Sequence, residues 1–170
     1  MNGLEMLKLR RSVRNFSNRK IDDNIIEEIL DCARLAPTAR NVQPWIFVMV
    51  KDDKLKEQLS QITSPNGSFI SRAPICIVVF CKETKYYLED GCAATMNILL
   101  AATYFGLGSC WVAGDKKDYS DKVRELLKIP SEYKLISLIP IGYPDSKNES
   151  GINKKKLREI FYINTYENKI

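Results

Sequence analysis

Apolar side chains recur every three or four positions from Ile25 to Ala36. Ile25, Ile26, Ile29, Leu30, Ala33 and Ala36 fall on one side of a helix. Asp22 or Asp23 can cap its start, and Pro37 ends it. The same period predicts a short helix over 3–10, with Leu4, Met6 and Leu7 as its apolar side, and another over 54–62 through Leu55, Leu59 and Ile62. Trp45–Val50 is aromatic and β-branched, bounded by Pro44 and by Lys51, Asp52 and Asp53, and reads as a strand. Pro74–Cys81 is almost continuously apolar and fits a strand buried on both faces. Tyr87–Phe105 is the longest predicted helix. Ala93, Met96, Leu100 and Thr103 form one stripe, Ile98 and Leu99 widen it, and burial on most sides is expected. Gly106 and Gly108 stop it, with close backbone approach to a flat ligand as a second use.

Cys110–Ala113 follows as a short strand, then a helix over 120–128 before Pro130, then a strand over Leu135–Ile141 closed by Gly142 and Pro144. Two stretches stay irregular: a basic segment from Arg10 to Lys20 and a polar loop over Ser64–Arg72. A polar linker, Asp145–Asn153, leads to a basic tail carrying Leu157, Ile160 and Phe161. This tail is too short to fold alone, so it must pack on its own body or on a second chain. Helices and strands mix without strict alternation, which favours an α+β layered fold over a doubly wound one.

Composition narrows the chemistry. With 170 residues, 45% apolar and 28% charged, the chain suits a single domain spanning 1–170. A domain of this size buries about 70% of the surface its unfolded form exposes. No apolar run approaches the ~20 residues of a membrane span, and the N-terminal stretch has no signal-peptide core. The expectation is a cytoplasmic protein with no membrane partner. Cys32, Cys76, Cys81, Cys92 and Cys110 are odd in number and form no CxxC pair, so they read as reduced and mostly buried core residues. The chain has no histidine. That absence excludes Ser-His-Asp and Cys-His hydrolases, HExxH metalloproteases and His-ligated zinc. An enzyme built this way borrows its chemistry from a cofactor.

Four segments carry candidate chemistry. Arg10-Arg11-Ser12-Val13-Arg14 sets three guanidinium groups and a hydroxyl within five residues, and such forks match phosphate oxygens. A solvated basic turn would look the same. Ala36-Pro37-Thr38-Ala39-Arg40-Asn41-Val42-Gln43-Pro44-Trp45 places a hydroxyl and two amides between a helix and a strand. These groups suit a heteroaromatic edge or a polyol, or simply a turn. Gly106-Leu107-Gly108-Ser109-Cys110-Trp111-Val112-Ala113-Gly114 lacks the third glycine of GxGxxG, and no GxxxxGK[ST] occurs, which argues against Rossmann and P-loop sites. Pro140-Ile141-Gly142-Tyr143-Pro144 is followed by Lys154, Lys155, Lys156 and Arg158, which can fold back toward the N-terminal arginines.

In type, order and spacing these segments resemble the nitroreductase family of flavoproteins in its short form, over about residues 3–163. The resemblance implies an α+β sandwich around a mixed, mainly antiparallel sheet flanked by helices. It implies an intertwined homodimer with two FMN sites at the interface and a swapped C-terminal tail that embraces the partner. On it, Arg10 and Ser12 hold the FMN phosphate, Arg14 lies nearer the ribityl chain and pyrimidine edge, and Arg11 acts through its backbone or field. Pro37, Thr38, Ala39 and Asn41 contact FMN from the other subunit, with Gln43 supporting their loop. Trp111, Val112, Ala113 and Gly114 bring backbone groups near the ring, Asn66 matches a ring-contacting asparagine, and Lys154 and Lys156 match a late phosphate-binding pair. Thr38 stands where a serine is frequent and keeps the hydroxyl.

No side chain is then catalytic in its own right and no metal is needed, because flavin N5 carries the chemistry. The implied reaction takes hydride from NADH or NADPH and reduces nitroaromatics, quinones or related small acceptors in ping-pong turnover. Two alternatives remain from the sequence. Another FMN-dependent activity of the superfamily is one: a dehalogenase, an azoline oxidase or a flavin-degrading enzyme. A basic nucleic-acid-binding module is the other. The net charge of +5 permits it, but Trp45, Phe47, Tyr104 and Trp111 lie in apolar contexts and not on a basic face.

Overall fold

A computed structural model describes residues 2–145 and 153–168. Its helices are α1 (Gly3–Leu9), α2 (Asp23–Arg34), α3 (Asp53–Ile62), α4 (Tyr87–Tyr104) and α5 (Ser120–Leu126). Its strands are β1 (Trp45–Val50), β2 (Ile75–Lys82), β3 (Gly108–Ser109), β4 (Val112–Ala113) and β5 (Tyr133–Gly142). Short 3-10 turns cover Ala39–Asn41, Ser68–Arg72 and Leu157–Glu159. The sheet order is β1-β2-β5-β3, with β4 also on β5. Among the described residues every strand pair is antiparallel, and the one parallel component is an isolated bridge from Ser12 to Ser109.

The period-two alternation within β2 divides the core. Ile75, Ile77, Val79 and Cys81 face α2 and α4, while Cys76, Val78 and Phe80 face α3, the Ser68–Arg72 turn and α5. Each large side chain buried this way contributes about 1.5–3 kcal/mol. Near the middle of α4, the buried Thr95 and Ser137 hydroxyls meet at 2.8 Å across the helix–sheet interface. No helix among the described residues is long and apolar enough to cross a membrane.

Several sequence expectations need correction. The loop predicted over Ser64–Arg72 contains an ordered 3-10 turn that buries Phe69 and Ile70; the turn residues Pro65, Asn66 and Gly67 masked those two apolar positions. Of the predicted strand Cys110–Ala113 only Val112–Ala113 (β4) is strand; Gly108–Ser109 (β3), expected only to stop α4, pairs as well, and Cys110 and Trp111 lie between the two. Pro140 supplies the reason. Its carbonyl accepts from the Cys110 N–H at 3.4 Å, so that side of Pro140 faces the β3–β4 edge. In an antiparallel strand a residue's N–H and C=O point the same way, and proline has no N–H to return. The ladder breaks there and releases Trp111.

Burial of α4 is also one-sided. Ala94, Thr95, Ile98, Leu99, Ala101 and Ala102 are buried, whereas the predicted stripe Ala93, Met96, Leu100 and Thr103 is only half-buried. An apolar helix carries no periodic signal for which side meets the sheet. α1 buries no residue at all, and Leu4 and Leu7 are 69% and 54% exposed. The linker predicted over Asp145–Asn153 lies outside the described residues except at its two ends.

Candidate functional site

The basic arm is laid along the sheet edge. Arg10 closes α1, its N–H donating to the Met6 carbonyl. The chain then runs extended, with Ser12 bridged to Ser109 and the Val13 N–H donating to the Ser109 carbonyl at 2.9 Å. Val13 is buried directly on Gly108; a Cβ there would lie 2.7–2.8 Å from three Val13 side-chain atoms. The two glycines after α4 therefore differ. Gly106, at φ +73°, turns the chain out of the helix, and Gly108 seats the arm. Farther on, the Ser17 N–H donates to the Tyr143 carbonyl at 2.9 Å and the Asp145 N–H to the Asn15 carbonyl at 3.2 Å. Hydrophobic anchoring by Val13 and Phe16 thus leaves Arg11 and Arg14 exposed, with Arg10 and Ser12 half-buried.

The guanidinium groups stay close to the arm. Arg11 Nη1 donates to the Lys8 and Arg10 carbonyls at 2.7 and 3.0 Å. Arg14 Nη1 donates to the Ser12 carbonyl at 3.3 Å, and its guanidinium carbon lies 5.7 Å from the centre of the Phe69 ring. Arg72 Nη2 reaches the Arg14 carbonyl at 3.5 Å, adding a cation from the Ser68–Arg72 turn. Beneath the arm, the Ser109 hydroxyl is buried and has no hydrogen-bond partner among the described residues. A buried hydroxyl without a partner is costly. Here it lies under the arm that carries Arg10, Ser12 and Arg14.

The Thr38–Gln43 loop is built differently. Arg40, Asn41 and Gln43 have φ of 54°, 56° and 50°, a left-handed region that non-glycine residues enter at a cost of about 1–3 kcal/mol each. Asp90, buried in the first turns of α4, holds the loop there. Its Oδ2 accepts from the Thr38 hydroxyl at 2.8 Å and its Oδ1 from the Ala39 N–H at 3.0 Å. The Thr38 hydroxyl in turn accepts from the Gln43 N–H at 3.1 Å. The Gln43 side-chain amide donates to the Asn41 side chain at 3.2 Å. Pro37 and Asn41 are exposed, and Thr38 and Ala39 are half-buried. Asp90 escaped the sequence reading. Its one visible signal is that it is one of two acids, with Glu89, at the head of a largely apolar helix.

Hydroxyl groups fix the segment after Trp111. Tyr119 donates to the Ala113 carbonyl and Ser120 to the Gly114 carbonyl. The Gly114 N–H donates to the Ile136 carbonyl at 3.0 Å, and the Tyr87 hydroxyl donates to Asp115 Oδ1 at 2.9 Å. Burial, and then the Asp115 carboxylate, push the Tyr87 hydroxyl up to about 12. Trp111 is half-buried, Val112 and Gly114 buried, and Ala113 exposed. The turn with Asn66 packs beside this segment: a Cβ on Gly67 would lie 3.2 Å from Val112 Cγ1, and Asn66 itself is exposed. Arm, Phe69 turn and β4 are therefore contiguous within one chain, whereas Lys154 and Lys156 stand exposed at the head of the tail. Burial pushes the Cys76 and Cys81 thiols up to about 12, so neither offers a thiolate near neutral pH.

A family model described as the nitroreductase family matches residues 7–66 and 63–143, which hold the arm, the loop and the Trp111 segment. The chain belongs to the nitroreductase family. An Archaeoglobus fulgidus protein assigned as an NADH dehydrogenase/NAD(P)H nitroreductase is 39% identical over 153 residues, covering 86% of this chain and 87% of that one. An FMN-dependent nitroreductase from Clostridium difficile superposes with a TM-score of 0.87 at 31% identity, covering 95% of this chain and 99% of that chain. An iodotyrosine deiodinase crystallised with FMN and 3-iodo-L-tyrosine superposes with a TM-score of 0.84 at 27% identity, covering 96% and 99%. The sandwich expected of the nitroreductase family is the observed fold.

Proposed function

We propose that this chain is an FMN-dependent oxidoreductase of the cytoplasm. It takes hydride from NADH or NADPH and passes electrons to nitroaromatics, quinones or related small acceptors in ping-pong turnover. The observation that carries this reading is the arm. Arg10, Ser12 and Arg14 flank Val13 on an arm pinned to the sheet edge at Gly108 and Ser109, and the buried Ser109 hydroxyl has no partner among the described residues, in a fold shared with an FMN-dependent nitroreductase. That donor set fits a phosphomonoester, since charge-assisted donors and a hydroxyl meet its oxygens.

Bound there, FMN supplies a hydride-accepting ring nitrogen that no side chain of this histidine-free protein can replace. The chain's own residues bind and orient. Arg10 and Ser12 hold the phosphate, with Lys154 and Lys156 completing the charge, and Arg11 adds to the local field. Arg14, with Arg72 beside it, offers positive charge near the pyrimidine edge, where negative charge rises on reduction. The tethered Trp111–Gly114 backbone and Asn66 line the ring. Pro37, Thr38, Ala39 and Asn41, braced by Gln43, cover the flavin of the partner subunit.

Homodimerisation is part of the same proposal. Leu4, Leu35, Tyr104, Leu157 and Ile160 are 57–70% exposed apart from Tyr104 at 56%. Together with the half-buried side of α4 they leave apolar surface that a second chain can cover. A single domain over 1–170, its 145–170 tail packed on the partner, accounts for that surface.

The test is direct. Purified protein should show the visible flavin bands or acquire them with added FMN, bleach anaerobically with NADH or NADPH, and recover with a nitroaromatic. Parallel double-reciprocal plots should accompany turnover, and light scattering should give a dimer mass. A protein that binds no FMN overturns the reading. The likeness to the deiodinase supports a halogenated phenol as a second acceptor class, and halide release from 3-iodotyrosine under the same reductant decides it.

A further inference from the structure

The strained loop and the buried acid beneath it belong together. Asp90 is 5% exposed, and none of the ion pairs among the described residues includes it. Both its oxygens are instead spent on the Thr38–Ala39 segment, at 2.8 and 3.0 Å. Its place in the first turns of α4 lets the helix N-terminus stabilise the negative charge in place of a cation. Through the Thr38 hydroxyl the link passes on to the Gln43 N–H, so one carboxylate ties both ends of a loop that holds three left-handed residues.

The bonding also sets what the loop can offer. The Thr38 hydroxyl hydrogen and the Ala39 N–H both point to Asp90, and the Thr38 and Ala39 carbonyls accept from the Asn41 and Val42 N–H groups at 3.2 Å. Hydrogen-bond donation to a ligand is therefore left to the Asn41 end of the loop.

We infer that Asp90 is a positioning residue for the cofactor: it touches no ligand itself, and it fixes the Thr38–Gln43 loop in the shape that contacts FMN. This rests on the reading above that the loop lines a flavin site. Replacing the carboxylate by an amide of the same shape sets an NH2 group against one of two donors, so Asp90→Asn should release the loop without opening a cavity. Arg40 is exposed within that loop and gives a cofactor-independent report, because trypsin cuts after it.

Asp90→Asn, Thr38→Val and a core control, Thr95→Val, are compared with the wild-type chain. The first two should be cut after Arg40 at least about tenfold faster and bind FMN at least about tenfold more weakly by fluorescence quenching. That is the change expected when a hydrogen bond to a charged group is lost. The vibronic shape of the bound FMN band should change in both. Thr95→Val loses a buried hydroxyl pair that bonds no residue of the loop and should lower the unfolding midpoint with wild-type cleavage at Arg40 and a wild-type flavin band. Unchanged cleavage in Asp90→Asn overturns the positioning role. Faster cleavage with unchanged FMN affinity overturns the loop's place in the flavin site and leaves the arm untouched. Failure of every protein to bind FMN overturns the cofactor reading, while the cleavage result still tests the tether.

Discussion

The Arg10–Arg14 arm and the Thr38–Gln43 loop serve one proposed site and are stabilised in opposite ways. The arm is an ordinary extended chain. Backbone bonds and two buried side chains, Val13 and Phe16, hold it on the sheet, so its arginines can be changed without touching what fixes it. The loop has a backbone that sequence alone would not adopt, and side-chain bonds to one buried carboxylate keep it there. A phosphate tolerates approach from many directions, so exposed charged side chains on a rigid strand suffice. A flat ring edge needs donors and acceptors at set positions, and a braced loop supplies them.

The sharpest way to break this contrast is to unseat the arm. Gly108→Val would drive a side chain into Val13, which already lies 2.7 Å from the Cβ position. A loss of about 3 kcal/mol in urea unfolding, the upper end for overpacking, is expected together with loss of FMN retention. Arg10→Ala isolates the charge: FMN affinity should fall by about 1.5–3 kcal/mol in a fluorescence titration, with the unfolding free energy within about 0.5 kcal/mol of wild type. If stability falls as well, the arm is not the independent strand described above. Thr38→Val should behave as Arg10→Ala does not. It removes the donor to a buried carboxylate and the acceptor for Gln43, at about 1.5–2 kcal/mol in unfolding free energy, and weakens FMN in the same variant.

The smallest effect is at the first residue of α4. Tyr87→Phe loses one bond to Asp115, about 0.5–1.5 kcal/mol, and loosens the Trp111–Gly114 segment slightly. This bond also has a pH signature. The Tyr87 proton is held more tightly in the folded chain, up to about 12 against an ordinary value of 10. Its stabilisation is complete below about pH 10 and fades as pH rises from there to about 12. A tyrosinate absorbance titration should show a late-ionising group that vanishes in Tyr87→Phe and shifts downward in Asp115→Asn.

Much of this was legible in the one-dimensional pattern. Helical periods located α2 and α3, alternation and apolar runs located β1, β2 and β5, and the order of the four motifs pointed to the family. Those signals are local: each depends on residues within a turn or two of one another. What went unread depends on distant partners. Phe69 and Ile70 looked like loop residues until α3 and β5 covered them. β3 and β4 parted only because Pro140, some thirty positions away, lacks a donor. Asp90 lies 51 and 52 positions from the groups it holds.

By itself the sequence determined that the protein has no imidazole chemistry, that its core is layered α+β, and that an arginine-rich arm and an amide-rich turn are the candidate binding segments. Only the tertiary structure decided how each is held. A charge becomes a brace when the fold excludes water around it and brings two donors to its oxygens, and no local pattern of residues encodes that meeting.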